Sequence, residues 1–325
     1  MKGQEDPILK KNPTIEQELI QLIEPETGGD PEGHVQYTRS SLRSLAARLG
    51  RGSATTIGRL LKPLGYSLKT NVKRLIGKVH PDRDRQYRFI QRTKALFIRN
   101  GQPIISIDAK KSELIGNFKN KGTRYCQEAD DVNVYDFPSE AECRATPYGI
   151  YDALYNHALV MVGTSANTAM FAVASITRWW EKFGSIHYPN ANHILIEADA
   201  GGSNGHRTRL WKRELQKLAN DTGLMITVCH YPTGASKWNP IEHKLFSQIS
   251  RNWAGSPLRS LPIMLALIKG TITTKGLIVD AELDSTLYEK GIKISDQEMK
   301  LLNIHRRKLC PNLNYTIKPK KSGSN

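Results

Sequence analysis

The order of apolar and polar positions changes character near residue 100. Before it, leucine and isoleucine recur at helical spacing. In "SLRSLAARLG" Leu42, Leu45 and Leu49 share one face, and Gly50 supplies a stop. In "ATTIGRLLKPLG" Ile57, Leu60, Leu61 and Leu64 share another, and Gly65 ends the run. Two short amphipathic helices joined by the tight "GRGS" turn predict a helix-turn-helix. On that reading Thr55, Thr56, Arg59 and Lys62 point away from the core, toward a DNA groove or its phosphates. Upstream, residues 14–23 predict a short helix and "EPETGGDPEG" a turn-rich linker, so residues 1–33 read as a peripheral segment. Downstream, a basic connector leads to a helix over about 84–99, with Asp82 or Asp84 as its cap and Gly101 past its end.

After residue 100, short apolar runs alternate with helical patterns. "PIISID" is a strand ending in Asp108, and "SELIGNF" predicts the next strand of a hairpin. A polar insertion covers roughly 119–147. "NHALVMVG" is a strand, "ANTAMFAVASITRWWEKFG" a helix, and "HILIEAD" a strand ending in Asp199. Glycine-rich "AGGSNG" follows, then a helix over about 207–222, the strand "LMITVCH", and a helix that opens at "NPIE". Paired strands followed by alternating strands and helices predict a mixed α/β sheet flanked by helices. The expected organisation is 1–33 peripheral, 34–100 basic helix-turn-helix and connector helix, 101–270 the α/β domain, and 271–325 a C-terminal extension with a basic tail. Trp179, Trp180 and Trp211 read as core, and for Trp238 and Trp253 packing is preferred over stacking on a base.

Composition adds exclusions. No apolar run approaches the roughly 20 residues of a membrane span, and the start has no signal-peptide core. Cys126, Cys143, Cys229 and Cys310 are far apart and form no CxxC pair, against a zinc ribbon or a secreted disulfide scaffold. The expected location is the cytoplasm. Charge changes the picture more. The net charge is +16, and between Arg39 and Arg99 sixteen Lys or Arg face only two acids. So concentrated a basic block is an electrostatic footprint for nucleic acid.

Within this basic chain, acids stand out. Asp108 and Asp199 each close an apolar strand, where sites gather in α/β sheets. Glu242 opens a helix behind Asn239 and Pro240. Asn is a favoured N-cap, Pro suits the first helical position, and Glu can reach back to the cap. A cap and a metal ligand are compatible roles for Glu242, and Asn239 is the candidate for the cap itself. Carboxylates suit hard cations such as Mg²⁺ or Mn²⁺, and two such ions about 4 Å apart suit phosphodiester cleavage. Glu197, two residues before Asp199 on the same strand face, is its rival or a supporting acid. Lys110 and Lys111 are placed to meet phosphates, Asn204 or His206 to meet DNA or metal-bound water. His230 and Ser236 lie ahead of Glu242, and for His230 a buried structural role weighs as much as a catalytic one.

Three stretches, "SIDAKKSELIGNFKNKG", "ADAGGSNGHRTRLWKRELQKLA" and "CHYPTGASKWNPIEHKLFSQISRNW", resemble the Rhodopirellula-type DDE transposases of bacterial insertion sequences. The resemblance runs from about residue 20 to 318 and includes "HPDRDRQYRFI" and "LNYTIKP". It implies a ribonuclease H-like catalytic domain, with Asp108, Asp199 and Glu242 as an acidic triad holding Mg²⁺ or Mn²⁺, expected as two ions. It implies cleavage at insertion-sequence ends and strand transfer into target DNA. The expected partners are double-stranded DNA, both terminal repeats and target, and further copies of the chain on that DNA. A bacterial, nucleoid-associated location follows. "AGG" stands after the second acid where the family has "GGG", and little sequence precedes the helix-turn-helix, so a copy short at its N-terminus is expected. The competing readings are a decayed transposase acting only as a DNA-binding protein and a metal-dependent nuclease that stops at hydrolysis.

Overall fold

The computed structural model describes residues 14–24, 27–29, 36–38, 40–69 and 80–320. Parts of the expected linker and connector, residues 70–79 of the latter, and the end of the basic tail lie outside these. The chain forms two units, Met1–Leu75 and Ile76–Asn325.

In the first unit, α1 (Ile15–Ile23), α2 (Leu42–Leu49) and α3 (Ala54–Leu61) surround one small core. Leu45, Ile57, Leu60 and Leu61 are buried with Ile15, Leu19 and Ile23 of α1. The helix expected to be peripheral is therefore a third wall of the helix-turn-helix core, because two eight-residue helices cannot bury their own apolar faces. β1 (Thr27–Gly29), inside the expected linker, pairs antiparallel with β2 (Gln36–Thr38) just past it. Arg51 of the turn is ion-paired with Glu18 of α1. Gly50 ends α2 at φ +69°, a left-handed conformation that glycine adopts without strain. Ser41 and Ser53 cap α2 and α3 by accepting from Ser44 N–H and Thr56 N–H. Thr56 does not face outward as expected. It is 5% exposed, and its hydroxyl lies 3.1 Å from the Ser53 hydroxyl, packed into the cap. Ser53→Ala should therefore cost this unit about 1 kcal/mol, read by urea denaturation.

The second unit is built on one nine-stranded sheet. Its centre is an antiparallel meander of β3 (Ile104–Ala109), β5 (Cys143–Asp152) and β6 (His157–Gly163). On the other side of β3, β7 (His193–Asp199) and β8 (Met225–Tyr231) run parallel to it. This is the expected mixed α/β sheet flanked by helices. Two sequence expectations are corrected. β4 (Glu113–Ile115) pairs with β5, not in a hairpin with β3. The first half of β5 lies inside the supposed polar insertion, because Pro147 and Gly149 punctuate a strand that is nonetheless buried from Ala145 on.

The supposed C-terminal extension is no appendage. β9 (Ile278–Asp284) extends the sheet beyond β6, and β11 (Asn314–Ile317) pairs with β8 and carries β10 (Ile304–Arg306) at the far edge. Helix α4 (Arg83–Arg99), assigned from sequence to the DNA-binding region, belongs to this unit and packs on its sheet.

Alternation along the strands sorts side chains to two faces. Ile105, Ile107, Ile194 and Ile196 meet α5 (Ala169–Trp179) and α6 (Arg209–Thr222), with Trp179 and Trp211 fully buried between. On the opposite face Ile104 and Leu195 meet Ile90 and Phe97 of α4. Farther along that face, Tyr151, Ala158 and Val160 meet the helix that begins at Pro240, together with Met264 and Ile268 of α8 (Leu261–Lys269). That helix opens with a π-turn, Glu242–Phe246, and continues as α7 (Ser247–Asn252). Trp253 at its end is buried, while Trp180 is half-buried at the end of α5 and Trp238 half-buried against Tyr87, beneath the Arg83 guanidinium.

Candidate active site

Asp108 and Asp199 end up side by side because β3 and β7 are parallel and in step. Ile107 registers with Ala198, so the next residues of each strand are the two acids. Both share the face carrying Ser106, Glu197 and the helix that begins at Pro240. Asp108 lies opposite Gly149 of β5. A Cβ there would come within 2.9 Å of Ile241, Leu245 and Phe246, so the missing side chain is what lets the helix lie directly on the strand. Glu242 thereby comes close enough to the Asp108 carboxyl for its charge to act on it.

The opening of that helix differs from expectation. Asn239 stands at the cap position, but its side chain is turned into the protein and fully buried. Its Nδ2 donates to Asp199 Oδ1 (3.1 Å) and Ile107 O (3.2 Å). The cap is supplied from another strand. Ser106 Oγ accepts from Ile241 N–H at 3.1 Å and donates to Asn239 Oδ1. Ser106 thus ties the helix to β3, and Asn239 ties it to β7. After Glu242 the helix widens by one residue, with Ser247 N–H bonded to Glu242 O, a defect frequent at functional sites.

Electrostatically the acids are crowded. Burial, then the charge of Asp199 and, less, that of Glu242 push the Asp108 pKa up to about 8, against the Ala109 N–H that donates to its Oδ1. Asp199 is raised too, by burial and by Glu242, with the Asn239 bond working against the shift. The three carboxylates do not converge on a single point. Among the described residues, the one His/Cys/Asp/Glu trio with ligand atoms all within 4.8 Å of one another is His80, Asp82 and Cys310. Asp108 instead feels the charge of both other acids, and Asp199 feels that of Glu242. An all-carboxylate set of this kind offers the oxygen ligands that a hard divalent cation takes.

The remaining residues singled out from sequence divide. Glu197 is fully buried and outside the acid cluster, held by Lys94 Nζ (3.0 Å) and the Tyr231 hydroxyl (3.1 Å), with burial raising its pKa. His230 is fully buried. Its Nδ1 lies 2.9 Å from the Asp199 carbonyl, so that nitrogen carries the proton, and its Nε2 accepts from the Tyr315 hydroxyl, which in turn accepts from Trp211 Nε1. Burial drives its pKa down to about 3, so the ring stays neutral and steadies the Asp199 backbone. His206 Nδ1 makes the corresponding bond to Ala200 O at 2.8 Å. Asn204 is buried, with Nδ2 lacking a partner among the described residues. Lys110 is turned away from the expected phosphates, to Glu113 (3.2 Å) and over the Trp253 ring (4.8 Å). Lys111 is exposed, as are Ser236 and, in the first unit, Thr55, Arg59 and Lys62.

Sequence reasoning did not find Ser106, Gly149, Lys94 or Tyr315. Two left a signal: a polar residue inside an apolar strand, and a glycine inside a strand, which marks close approach of another element.

The model of the Rhodopirellula transposase DDE domain family matches residues 18–319. No curated protein matches the chain. Among solved structures, the chain is similar to the Mos1 mariner paired end complex with Mn, at 14% identity over 80% of this chain and 79% of that one, with a TM-score of 0.42. It is similar also to the Mos1 paired end complex with Mg (13%, 81% and 71%, 0.40) and to the Mos1 paired-end complex with left transposon end (12%, 76% and 67%, 0.41). The family match takes in nearly the whole chain and all three acids, and the protein is a member of the Rhodopirellula DDE transposase family.

Proposed function

We propose that this transposase cuts DNA at the ends of its insertion sequence and joins the freed 3′ ends to target DNA, with Asp108, Asp199 and Glu242 holding Mg²⁺ or Mn²⁺. The observation that carries the proposal is the gathering of three carboxylates around Asp108 in a chain of net charge +16. Their all-oxygen donor set suits hard divalent cations, and the raised Asp108 pKa is that of a group awaiting a counter-charge. Such ions, when bound, activate the attacking oxygen and stabilise the leaving one.

The chain's own residues prepare that site. Asn239 holds one oxygen of Asp199 and leaves the other to the site. Ala109 N–H orients Asp108. His230, neutral and buried, fixes the Asp199 carbonyl without adding charge that would compete with a cation. The Ser106–Asn239 tie holds the Glu242 helix at the distance its carboxylate needs. Thr55, Arg59 and Lys62 of α3 recognise the terminal repeats, and Lys111 meets the DNA backbone near the acids. Copies of the chain pair two ends on the DNA, in the nucleoid of a bacterial cell. Among the described residues no helix is long and apolar enough to cross a membrane.

The test is cleavage and joining of a labelled duplex carrying the element's end, with Mg²⁺, Mn²⁺ or chelator. Native protein is compared with Glu242→Gln, which keeps the shape and removes the charge. Metal-dependent joining by the native chain, lost in the variant while DNA binding and folding persist, is the expected result. Nicked product without joining would identify a hydrolysis-only nuclease. Binding without either product would identify a DNA-binding protein alone.

A further inference from the structure

A cleft of about 1060 Å³ in the sheet unit opens at Ala200, the residue after Asp199. Its walls come from the loop after β7, the start of α6, the loop after β8 and the β10–β11 turn. These walls are strongly basic. The one acid among the lining residues, Asp82, is already bonded to Arg85 at 2.8 Å. Arg209 is paired with Asp296. Four lining cations, Arg207, Lys212, Arg306 and Lys308, have no carboxylate partner among the described residues.

Lys212 shows the consequence. Its side chain is 5% exposed and donates to the His206 carbonyl, with no acid beside it. Burial and the charges of Arg306 and Arg209 lower its pKa to about 8. Positive charge held this way, against its own repulsion, is relieved by an anion.

We propose that this cleft holds a short single strand of DNA, leading by its phosphates away from the bond cut beside Asp199, so that the protein grips a splayed end. The inference rests on the function proposed above and adds where an unpaired strand goes. The size of the cleft suits it. At about 1060 Å³ it is at the upper end of sites that enclose a small ligand, which is room for a short segment of one strand. Its apolar lining residues, among them Pro232, Met299 and Leu309, are not aromatic. The grip is therefore on the backbone, without the base stacking that single-strand proteins use elsewhere, and bases should matter little.

The experiment is fluorescence anisotropy with the full chain in chelator, using one duplex that is fully paired and the same duplex with its end unpaired. Arg306→Glu/Lys308→Glu should weaken binding to the forked DNA about tenfold and lower its salt slope by about 1.4, for two lost single-strand phosphate contacts, leaving the paired duplex within about twofold. Arg306 also donates to Pro311 O in its turn, so Lys308→Glu alone is the second variant. Lys308 makes no hydrogen bond or ion pair among the described residues, and its charge reversal should show about half the effect in salt slope. Equal losses on both DNAs, or none on the fork, would overturn the cleft assignment. Tripolyphosphate displacing the fork at matched phosphate concentration would instead identify a site for free polyphosphate. A native chain that binds neither DNA would sink the transposase reading itself. Native cleavage with unchanged fork binding in the variants would sink only the cleft.

Discussion

Asp108→Asn is expected to abolish cleavage and joining and, at the same time, to make the metal-free protein more stable at neutral pH. The activity loss should exceed about 10⁴-fold, as for groups that act as a unit. The stability gain follows from linkage. Burial, then Asp199 and Glu242, raise the Asp108 pKa from its ordinary 3.8 to about 8 in the folded chain. Below about pH 4 both folded and unfolded chains hold this proton, and stability is at its full value. Between about 4 and 8 the unfolded chain has released the proton while the folded chain keeps it, so stability falls as pH rises, and above 8 it levels off. Asparagine has no such proton, so the variant should lack this slope. Its advantage at pH 7 should be on the order of 2–4 kcal/mol. Urea denaturation of both proteins across pH 5–8 measures the difference. Millimolar Mg²⁺ or Mn²⁺ should raise the native midpoint and leave the variant nearly unmoved. Equal slopes in the two proteins would mean that Asp108 ionises freely and that the acids do not act on one another.

Gly149→Val should cost nearly as much activity without touching an acid. The new side chain would start 2.9 Å from Ile241, Leu245 and Phe246, below any ordinary contact, and the opposing backbone belongs to β5 at the centre of the sheet. The helix that begins at Pro240 must give way. Overpacking of this kind costs about 1–3 kcal/mol. A displacement of about 1 Å at Glu242 is enough for a loss of about 100-fold in rate. Denaturation together with the joining assay separates the two effects. The variant should remain folded and bind DNA. A fully active Gly149→Val protein would show that the position of Glu242 is not set by this contact.

What could be read from the chain alone follows from how local each determinant is. Asp108 and Asp199 were legible because an apolar strand buried on both faces stops abruptly at an acid. Glu242 was legible because Asn–Pro marks a helix start within four residues of it. The cap was misread because it is not local: Ser106, 135 residues from Ile241, does the work assigned to Asn239. Thr56 was misplaced because helical periodicity treats a polar residue as outward, while its hydroxyl is occupied in the cap of its own helix. β5 was hidden by Pro147 and Gly149, the very features that let it accept a helix and pass beside Asp108. β9 and β11 were missed because their partners, β6 and β8, are far away in sequence, so no local pattern announces the pairing.

β11 has a consequence for the living cell. It hydrogen-bonds along β8 and places Tyr315 against His230, which in turn holds the Asp199 backbone. That brace is complete only once residue 317 has been made, two hundred residues after Asp108. At about 5–20 residues per second, a growing chain spends some ten seconds or more with its helix-turn-helix complete and its cutting centre unfinished. Any message that ends before Asn314 yields a protein with the helices of the first unit but without the strand that braces the acids.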